Sequence, residues 1–419
     1  MAVATRPFGK AKSAVMGVAY SRITRDPLPE GTILGDEVVD TCKRAIADAG
    51  LTPADIDGIT SFAINMGPDD ANTATDGITR ASLPYVWRRL GLDVRWGEDN
   101  NKFVGSSLIE ANNAIAAGAA RFVLVWKAVD DPRLPGRRGN GGPPQRPRAG
   151  GDGQFMAPYG AGGGYLMHAP TAQRYYELYG ATREHMAKHV VRNRKHALMN
   201  EKSYWSINKP EQLTVDDYMN ARPIADPLCL YDCDLPVRGV IAYVLGPAEA
   251  AQDVDHGVAY VKAFAQEWIG PRGLNAFHHA GGRMLKPPLE DNHDVIPLLQ
   301  RHLWEPSGLT PSDLSTLTVY DGFSILTWLW LEALGVCGVG EAFEYVQGDH
   351  NEIGGSMPLN TSGGHLAEGA MGGAPHYAEA ALQCMGRAGV RQVKDCHYAL
   401  AATDRPCRAQ VIIFSSQPD

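Results

Sequence analysis

Two distant stretches of the chain show the same succession of apolar and polar positions. In residues 36–50 and again in 293–308, the apolar spacing predicts an amphipathic helix that ends at a glycine. A GLTP motif follows each helical run, and an apolar run typical of a strand comes next. The two copies, GLTPADI from Gly50 and GLTPSDL from Gly308, indicate an internal repeat.

Each residue type in the GLTP motif suits one step of a helix end and a new turn. Glycine accepts positive φ at the end of a helix, threonine can cap a short turn, and proline can start that turn. These residues are Gly50, Thr52 and Pro53 in the first copy and Gly308, Thr310 and Pro311 in the second.

A second correspondence supports the repeat, because a helix rich in small residues precedes a strand in residues 106–128 and in 374–402. Such helices can lie between two sheets, and their N-termini would then suit a thioester oxyanion or a phosphate. Plain core packing is the alternative. We therefore predict two similar α/β halves, residues 1–250 with a loop insertion at about 129–165, and residues 251–419.

The insertion includes a segment, residues 136–154, that is dense in glycine and proline and carries four arginines. This composition is typical of a loop. We expect a lid or a contact with a partner there, and a solvated tether without function is the alternative.

Composition excludes several classes of protein. A net charge of -8 over 419 residues argues against nucleic-acid binding through a broad basic surface. We find no secretory signal at the start and no run of about 20 apolar residues that would cross a membrane. Seven scattered cysteines favour reduced thiols in a cytoplasm. Cys229 and Cys233 have no second pair at zinc spacing, so no metal is expected.

Several segments, in their order along the chain, resemble a thiolase of the sterol-carrier-protein type. They are the first strand at 13–21, the nucleophile segment at 100–115, a helical segment at 174–200, a strand at 226–250, the His-Asp-Cys-Phe segment at 319–342 and the glycine-rich loop at 360–373. The resemblance implies the thiolase fold, in which two βαβαβαββ-type halves form αβαβα layers.

The residues that define thiolase chemistry are replaced here. A thiolase attacks its acyl group with a cysteine thiolate, but the corresponding position holds Lys102. Ala370 stands where the family has its loop histidine, and Tyr320 stands where it has the histidine of His-Asp-Cys-Phe. The second cysteine position falls near Ala402 or Thr403, with Cys407 a few residues on.

Two further segments carry the resemblance to one branch of the family. The Tyr-Asp-x-Phe and Asn-Thr-x-Gly-Gly segments are similar to those of thiolase-like aldolases of steroid side-chain degradation. The resemblance implies retro-aldol cleavage of a β-hydroxyacyl-CoA, giving a ketone and a shorter acyl-CoA such as propionyl-CoA. It also implies a homodimer associated with a small zinc-ribbon and OB-fold protein, and no cofactor besides the CoA of the substrate.

Retro-aldol cleavage needs a base, a proton donor and an oxyanion hole, but no covalent nucleophile. A tyrosine with its ordinary pKa of about 10 is a weak base unless donors or cations stabilise its phenolate. The resemblance places Tyr320 as general base or acid and Asp321 beside it, where it would hold the loop through backbone N–H groups. His365 or His376, which Tyr377 follows, is the candidate for the second proton site, since Ala370 leaves the loop position empty.

Five residues are predicted to bind substrate. They are Lys102, Arg194, Asn360, Gly363 and Gly364. Gly363 and Gly364 would offer backbone N–H groups to the thioester oxygen. Lys102 could form a Schiff base or pair with an acidic neighbour. Arg194 belongs to a basic cluster, HVVRNRKHA, which could hold CoA phosphates or form a solvated helix face.

Two alternatives to an aldolase stay open at this point. One is a catalytically silent thiolase-like subunit that binds acyl-CoA and stabilises a partner. The other is an unusual acyltransferase that uses Cys407. The acyl group itself is left open, because the loops at 66–86 and 268–290 have no place in the sequence-based reading, although Trp268, Phe277 and Met284 fit a bulky apolar substrate.

Overall fold

The computed structural model describes residues 7–62, 76–78, 81–99, 104–130, 164–267 and 288–418. Lys102 and the arginine-rich segment 136–154 lie outside these residues, and so do Trp268, Phe277 and Met284.

The described residues include eleven strands, which form one large sheet and one small sheet. The strands are β1 (Ser13–Tyr20), β2 (Gly58–Ser61), β3 (Trp96–Asp99), β4 (Val123–Asp130), β5 (Pro223–Ala225), β6 (Leu228–Cys229), β7 (Arg238–Pro247), β8 (Ala259–Gln266), β9 (Thr316–Val319), β10 (Tyr398–Thr403) and β11 (Gln410–Ser415). The large sheet has the order β3-β2-β4-β7-β1-β8-β11-β10-β9, and β5 pairs with β6 alone.

The described residues form fourteen α-helices, several of them short. They are α1 (Leu34–Asp48), α2 (Leu83–Leu90), α3 (Val104–Ala116), α4 (Tyr165–Tyr179), α5 (Arg183–Leu198), α6 (Tyr204–Asn208), α7 (Val215–Met219), α8 (Pro288–His293), α9 (Ile296–Leu299), α10 (Glu305–Ser307), α11 (Ile325–Ala333), α12 (Ala342–Tyr345), α13 (Gly364–Glu368) and α14 (Ala374–Cys384). A π-helical turn, Gln300–Trp304, joins α9 to α10 in one helical run.

The strand order reflects the internal repeat. Strands β2 and β4 are parallel neighbours in the first half, as β9 and β10 are in the second, and antiparallel strands β1 and β8 join the halves. In the described residues, the first half contributes five strands to the large sheet and the second half contributes four. The boundary near residue 250 stays a prediction.

Side chains that point alternately to the two faces of each strand divide the core into layers. In β11, Val411 and Ile413 pack toward α11, whereas Ile412 and Phe414 pack into the central layer with α3 and α14. Helices α3 and α14 contact each other and strands of both halves, and α1 covers the outer face of the first half. The layers therefore follow the predicted αβαβα arrangement.

Small residues let the central helices approach their neighbours closely, as predicted. A methyl group added at Gly105 in α3 would lie 2.0 Å from the hydroxyl oxygen of Tyr377 in α14. That hydroxyl donates to the Gln410 carbonyl at 2.8 Å and contacts Thr403, so Tyr377 serves the core.

Both GLTP copies adopt the predicted conformation. Gly50 and Gly308 have φ of 71° and 69°, and each begins the turn that leads to a 3-10 helix, Pro53–Asp55 or Pro311–Asp313. The preceding threonine and the last aspartate of each turn form a capping box. The prediction of a repeated helix end, turn and strand is confirmed.

Within the described residues, no helix is both long and apolar enough to cross a membrane. All seven cysteines are free thiols.

Candidate active site

Tyr320 and Asp321 follow β9 directly, at the edge of the sheet where the strand ends. The main-chain N–H of Tyr320 donates to the carbonyl of Ala402 in β10, at 2.9 Å. The hydrogen bonding between β9 and β10 therefore continues one residue beyond β9. This bond fixes the position from which the Tyr320 side chain leaves the sheet.

Asn360 anchors the glycine-rich loop to the same strand. Its amide accepts the N–H of Val319 at 2.8 Å and donates to the carbonyl of Val319 at 3.1 Å. Asn360 has φ of 48°, a left-handed conformation that asparagine tolerates better than most residues. The loop therefore begins beside Tyr320.

The carboxylate of Asp321 is fully buried and holds three groups together. It accepts the main-chain N–H of His365 at 2.6 Å and the side-chain amide of Asn193 at 2.8 Å. Nε2 of His376 lies 3.3 Å from it. Asp321 thus ties β9 to α5, α13 and α14, and all of its contacts are internal.

Hydrogen bonds set the tautomer of His365. Its Nε2 accepts two main-chain N–H groups, from Gly373 at 2.8 Å and from Met371 at 3.2 Å. Because that nitrogen accepts, the proton of the neutral ring is on Nδ1. Nδ1 lies 3.4 Å from a carboxylate oxygen of Asp234, but the two atoms do not form a hydrogen bond.

Three rings meet at this point. Tyr320 contacts His365 edge-on, with ring centres 4.7 Å apart, and His376 edge-on at 5.9 Å. The two histidine rings are stacked, with centres 5.3 Å apart. Both histidines are fully buried, whereas Tyr320 is partly exposed, so the tyrosine is the member of the trio with a face toward the outside.

The surroundings of Tyr320 favour its neutral phenol. Burial raises its pKa well above the ordinary value, the carboxylates of Asp234, Asp404 and Asp321 add to the rise, and Arg405 acts against it. A methyl group at Gly322 would lie 2.6 Å from the Tyr320 hydroxyl oxygen, so glycine makes room for the ring. The phenol can donate a proton, but it is a poor base.

Comparison with known proteins gives the family. A family model described as "Thiolase C-terminal domain-like" matches residues 302–409. A 17-hydroxy-3-oxo-4-pregnene-20-carboxyl-CoA lyase from Mycobacterium tuberculosis is 32% identical over 90% of this chain and 92% of its own length. The chain belongs to the thiolase superfamily. Within the superfamily it lies in the sterol-carrier-protein thiolase-like branch.

Two further proteins resemble this superfamily member over most of their length. A steroid side-chain-cleaving aldolase from Thermomonospora curvata is 32% identical over 88% of this chain and 89% of its own. The solved structure of an Ltp2-ChsH2(DUF35) aldolase has a TM-score of 0.79 and 27% identity, and covers 97% of this chain and 98% of its own. The predicted thiolase fold is confirmed.

In this thiolase-superfamily member, the four residues predicted to be catalytic lie together. Tyr320, Asp321, His365 and His376 form one group of direct contacts. Burial lowers the pKa of the His376 imidazole, although the hydrogen bond to Asp321 acts against this. Burial thus favours the neutral ring of His376, and its role in proton transfer stays a prediction.

The glycine-rich loop differs from its predicted binding role. The amide of Asn360 is used by Val319, and the N–H of Gly363 donates to the carbonyl of Asn360 at 2.8 Å. Methyl groups at Gly363 and Gly364 would lie 2.4 Å from Ala197 and 2.2 Å from Asp321. Asn360 and Gly363 therefore hold the loop against β9 and α5, whereas the binding of a thioester oxygen by the Gly364 N–H stays a prediction.

The predicted CoA-binding role of Arg194 is also corrected. The guanidinium is buried and stacks on Trp205, 3.4 Å from the ring centre, with Tyr231 at 5.7 Å. Burial lowers its pKa to about 10, with Tyr231 and Glu211 acting against the shift. In the same cluster Arg192 is buried against main-chain carbonyls, whereas Lys195 is exposed, so neither arginine faces solvent where a CoA phosphate could bind.

The environment of the cysteines disfavours thiolate chemistry. Burial raises the pKa of the thiols of Cys229 and Cys233 to about 11 and about 12, with the Asp232 carboxylate adding to both shifts. Cys407 lies in the 3-10 helix Pro406–Arg408 and is buried. In the described ranges, no three histidine, cysteine or acidic side chains are grouped so that they could hold a metal ion.

Two residues that contact this group escaped the sequence-based reading. Asp234 precedes β7, and its segment pairs with the active-site loops through the Cys233–Phe323 and Pro236–Ala370 bridges. Asn193 lies in α5 between Arg192 and Arg194, two members of the basic cluster. Arg238, four residues after Asp234, is buried in β7 and donates to Glu37.

Proposed function

We propose that this protein cleaves the side chain of a steroid β-hydroxyacyl-CoA by a retro-aldol reaction, which gives a ketone and a shorter acyl-CoA such as propionyl-CoA. The sequence-based expectation of a CoA-thioester aldolase is confirmed by the relatives, whose names are those of a lyase and an aldolase. The chain is thus a carbon–carbon lyase that acts on acyl-CoA.

One observation carries the reaction type. Where thiolases use a histidine beside a nucleophilic cysteine, this chain has the phenol of Tyr320 packed on His365 and His376. Retro-aldol cleavage forms a thioester enolate, which must gain a proton at its α-carbon. A phenol with a raised pKa keeps its proton until such a strong base is present, so Tyr320 is suited to be the proton donor.

The substrate class rests on the likeness to the mycobacterial lyase. The name of that enzyme's substrate combines a 17-hydroxyl group with a CoA thioester on carbon 20, so the hydroxyl is β to the thioester carbonyl. Such a compound has the bond that a retro-aldol step breaks. The proposed reaction uses no cofactor, because CoA enters as part of the substrate.

A partner subunit belongs to the proposal. The similar solved structure is named as a complex of an Ltp2 chain with a DUF35 protein, and it aligns over nearly the full length of this chain. We infer a homodimer that binds a small zinc-ribbon and OB-fold protein, which would help to hold the acyl-CoA. The cytoplasm is the compartment we propose.

The test uses the full chain copurified with its partner and supplied with 17-hydroxy-3-oxo-4-pregnene-20-carboxyl-CoA. We expect stoichiometric 17-ketone and propionyl-CoA, detected by mass spectrometry. Tyr320→Phe should lower kcat by at least about 100-fold, because it removes one positioned proton donor. Tyr260→Phe, in β8 and away from the rings, is the matched control and should keep full activity.

The results separate the alternatives. Absence of cleavage by the parent complex would overturn the proposed substrate. Cleavage by Tyr320→Phe at the parental rate would overturn the role of Tyr320. A complex that keeps full activity after Tyr320 and His365 are both replaced would instead be evidence for a silent subunit, and an acyl group trapped on Cys407 would be evidence for an acyltransferase.

A further inference from the structure

Asp234 is the acidic residue that directly faces His365. Its carboxylate oxygen lies 3.4 Å from Nδ1 of His365, and its side chain is 26% exposed, whereas that of His365 is fully buried. The main-chain N–H of Asp234 donates to the carbonyl of Gly322 at 3.0 Å, which holds the residue over the segment that carries Tyr320. Asp234 thus combines a fixed position with partial exposure to solvent.

The segment before Asp234 is held equally firmly. The buried carboxylate of Asp232 accepts the hydroxyls of Tyr218 at 2.7 Å and Ser324 at 2.6 Å, and the N–H of Cys229 at 2.7 Å. Ser324 directly follows the Tyr320 segment, so the segments that carry Asp234 and Tyr320 share this anchor. A group held from both sides keeps its geometry through a reaction.

The other groups around Tyr320 are already engaged or are poor bases. Asp321 is fully buried and uses its oxygens for His365, Asn193 and His376. Asp404 is buried, and its carboxylate lies 3.3 Å from Arg408 and 3.7 Å from Arg405.

The histidines have the same limitation. Nε2 of His365 accepts two N–H groups, so it has no lone pair for a substrate proton. His376 is fully buried beside Asp321. Among the described groups of this site, Asp234 is left as a partly exposed carboxylate with an oxygen available.

We propose that Asp234 is the base that takes the proton of the substrate's β-hydroxyl group, with its carboxylate held beside the ring of His365. This role deepens the proposed aldolase function and rests on it. Tyr320 then donates a proton to the thioester enolate. The two proton transfers are thus assigned to two residues on opposite sides of the broken bond.

The step balances without a further reactant. The hydroxyl proton passes to the Asp234 carboxylate, the O–H electron pair becomes the π bond of the ketone, and the Cα–Cβ pair passes to the thioester enolate. The enolate takes a proton at its α-carbon from the Tyr320 phenol. Transfer of the proton on Asp234 to the Tyr320 phenolate, through solvent after the ketone leaves, restores both residues.

The test compares Asp234→Asn and Asp234→Ala with the parent, each in the complete complex. We expect both variants to lose at least about 100-fold in kcat, the range for a missing general base, while KM changes less than threefold. Formate should restore part of the activity of Asp234→Ala, because a small carboxylate can occupy the vacated space. Asp216→Ala, on the exposed face of α7, should keep parental activity and not respond to formate.

Rescue by formate distinguishes a base from a structural residue, because a small carboxylate replaces the lost base but not lost packing. Activity of Asp234→Asn within threefold of the parent, or no response of Asp234→Ala to formate, would overturn the assignment. If the parent complex itself does not cleave the β-hydroxyacyl-CoA, the proposed function fails, and the role of Asp234 fails with it.

Discussion

Asp321 accepts the main-chain N–H of His365 at 2.6 Å, so a carboxylate at the end of β9 fixes the first turn of α13. The same carboxylate accepts the amide of Asn193 from α5. The rings of the active site therefore depend on one buried charge for their relative positions.

Replacement of that charge should affect both stability and turnover. Asp321→Asn places an NH₂ group opposite one of the N–H donors, so one hydrogen bond to a charged acceptor is lost. We expect unfolding to become easier by about 2 kcal/mol and kcat to fall at least about tenfold, measured by urea titration and by ketone release.

A control separates these two effects. Asp313→Asn weakens the exposed capping box of the second GLTP copy and should cost about 1 kcal/mol or less, with kcat unchanged. An Asp321→Asn variant that keeps parental kcat would show that the rings do not need this carboxylate.

Glu368 should make stability fall as pH rises. Burial raises its pKa from 4.5 to about 7, and the charge of the nearby Glu379 adds to the shift. The folded state then keeps a proton that the unfolded chain releases, so this stabilisation is complete below pH 4.5 and is lost by about pH 7.

The size of this stability change follows from the shift in the pKa of Glu368, at about 1.4 kcal/mol for each unit of pKa. Glu368→Gln should therefore gain about 3 kcal/mol relative to the parent between pH 4.5 and pH 8, measured by denaturant unfolding at each pH. The surface variant Glu201→Gln, at a side chain that is 85% exposed, should show no such trend. Parallel curves for Glu368→Gln and the parent would contradict the prediction.

Arg194 should contribute to stability and not to CoA affinity. Its guanidinium lies on the face of Trp205, and its remaining polar contact is the carbonyl of Glu211 at 3.4 Å. Arg194→Met keeps the apolar stem but removes the cation, so we expect a loss of about 1–2 kcal/mol in the free energy of unfolding.

Binding of the acyl-CoA, measured by calorimetry, should change less than twofold in Arg194→Met. Lys195→Met, which removes an exposed neighbour that pairs with Glu352 at 2.8 Å, serves as the comparison. A weakened affinity with unchanged unfolding would restore Arg194 to the substrate-binding set.

The parts of the fold and site that the sequence predicts are those recorded in local patterns. The GLTP copies predict a helix end, a capped turn and a strand because glycine, threonine and proline determine that geometry over a few residues. The second GLTP copy also leads to the position of Tyr320, because this residue comes directly after β9, the strand that follows that copy.

The roles that the sequence does not predict depend on contacts between distant segments. Arg194 looks like a surface cation in its own helix, and only the folding of Trp205 and Tyr231 over it buries the charge. Asn360 looks like a ligand to substrate until Val319 occupies its amide. Asp234 has no local motif at all, because its partner His365 is 131 positions further along the chain.

The pairing of β1 with β8 has a consequence for how this enzyme can be built or divided. Asp234 lies before β8 in the chain, in the first half. Tyr320, His365 and His376 lie after β8, in the second half. Neither portion contains a complete proton relay. Catalytic competence is therefore a property of the docked whole: refolding should restore secondary structure first and turnover only when the two portions have closed on each other, and coexpressed fragments should be active only if they reassemble.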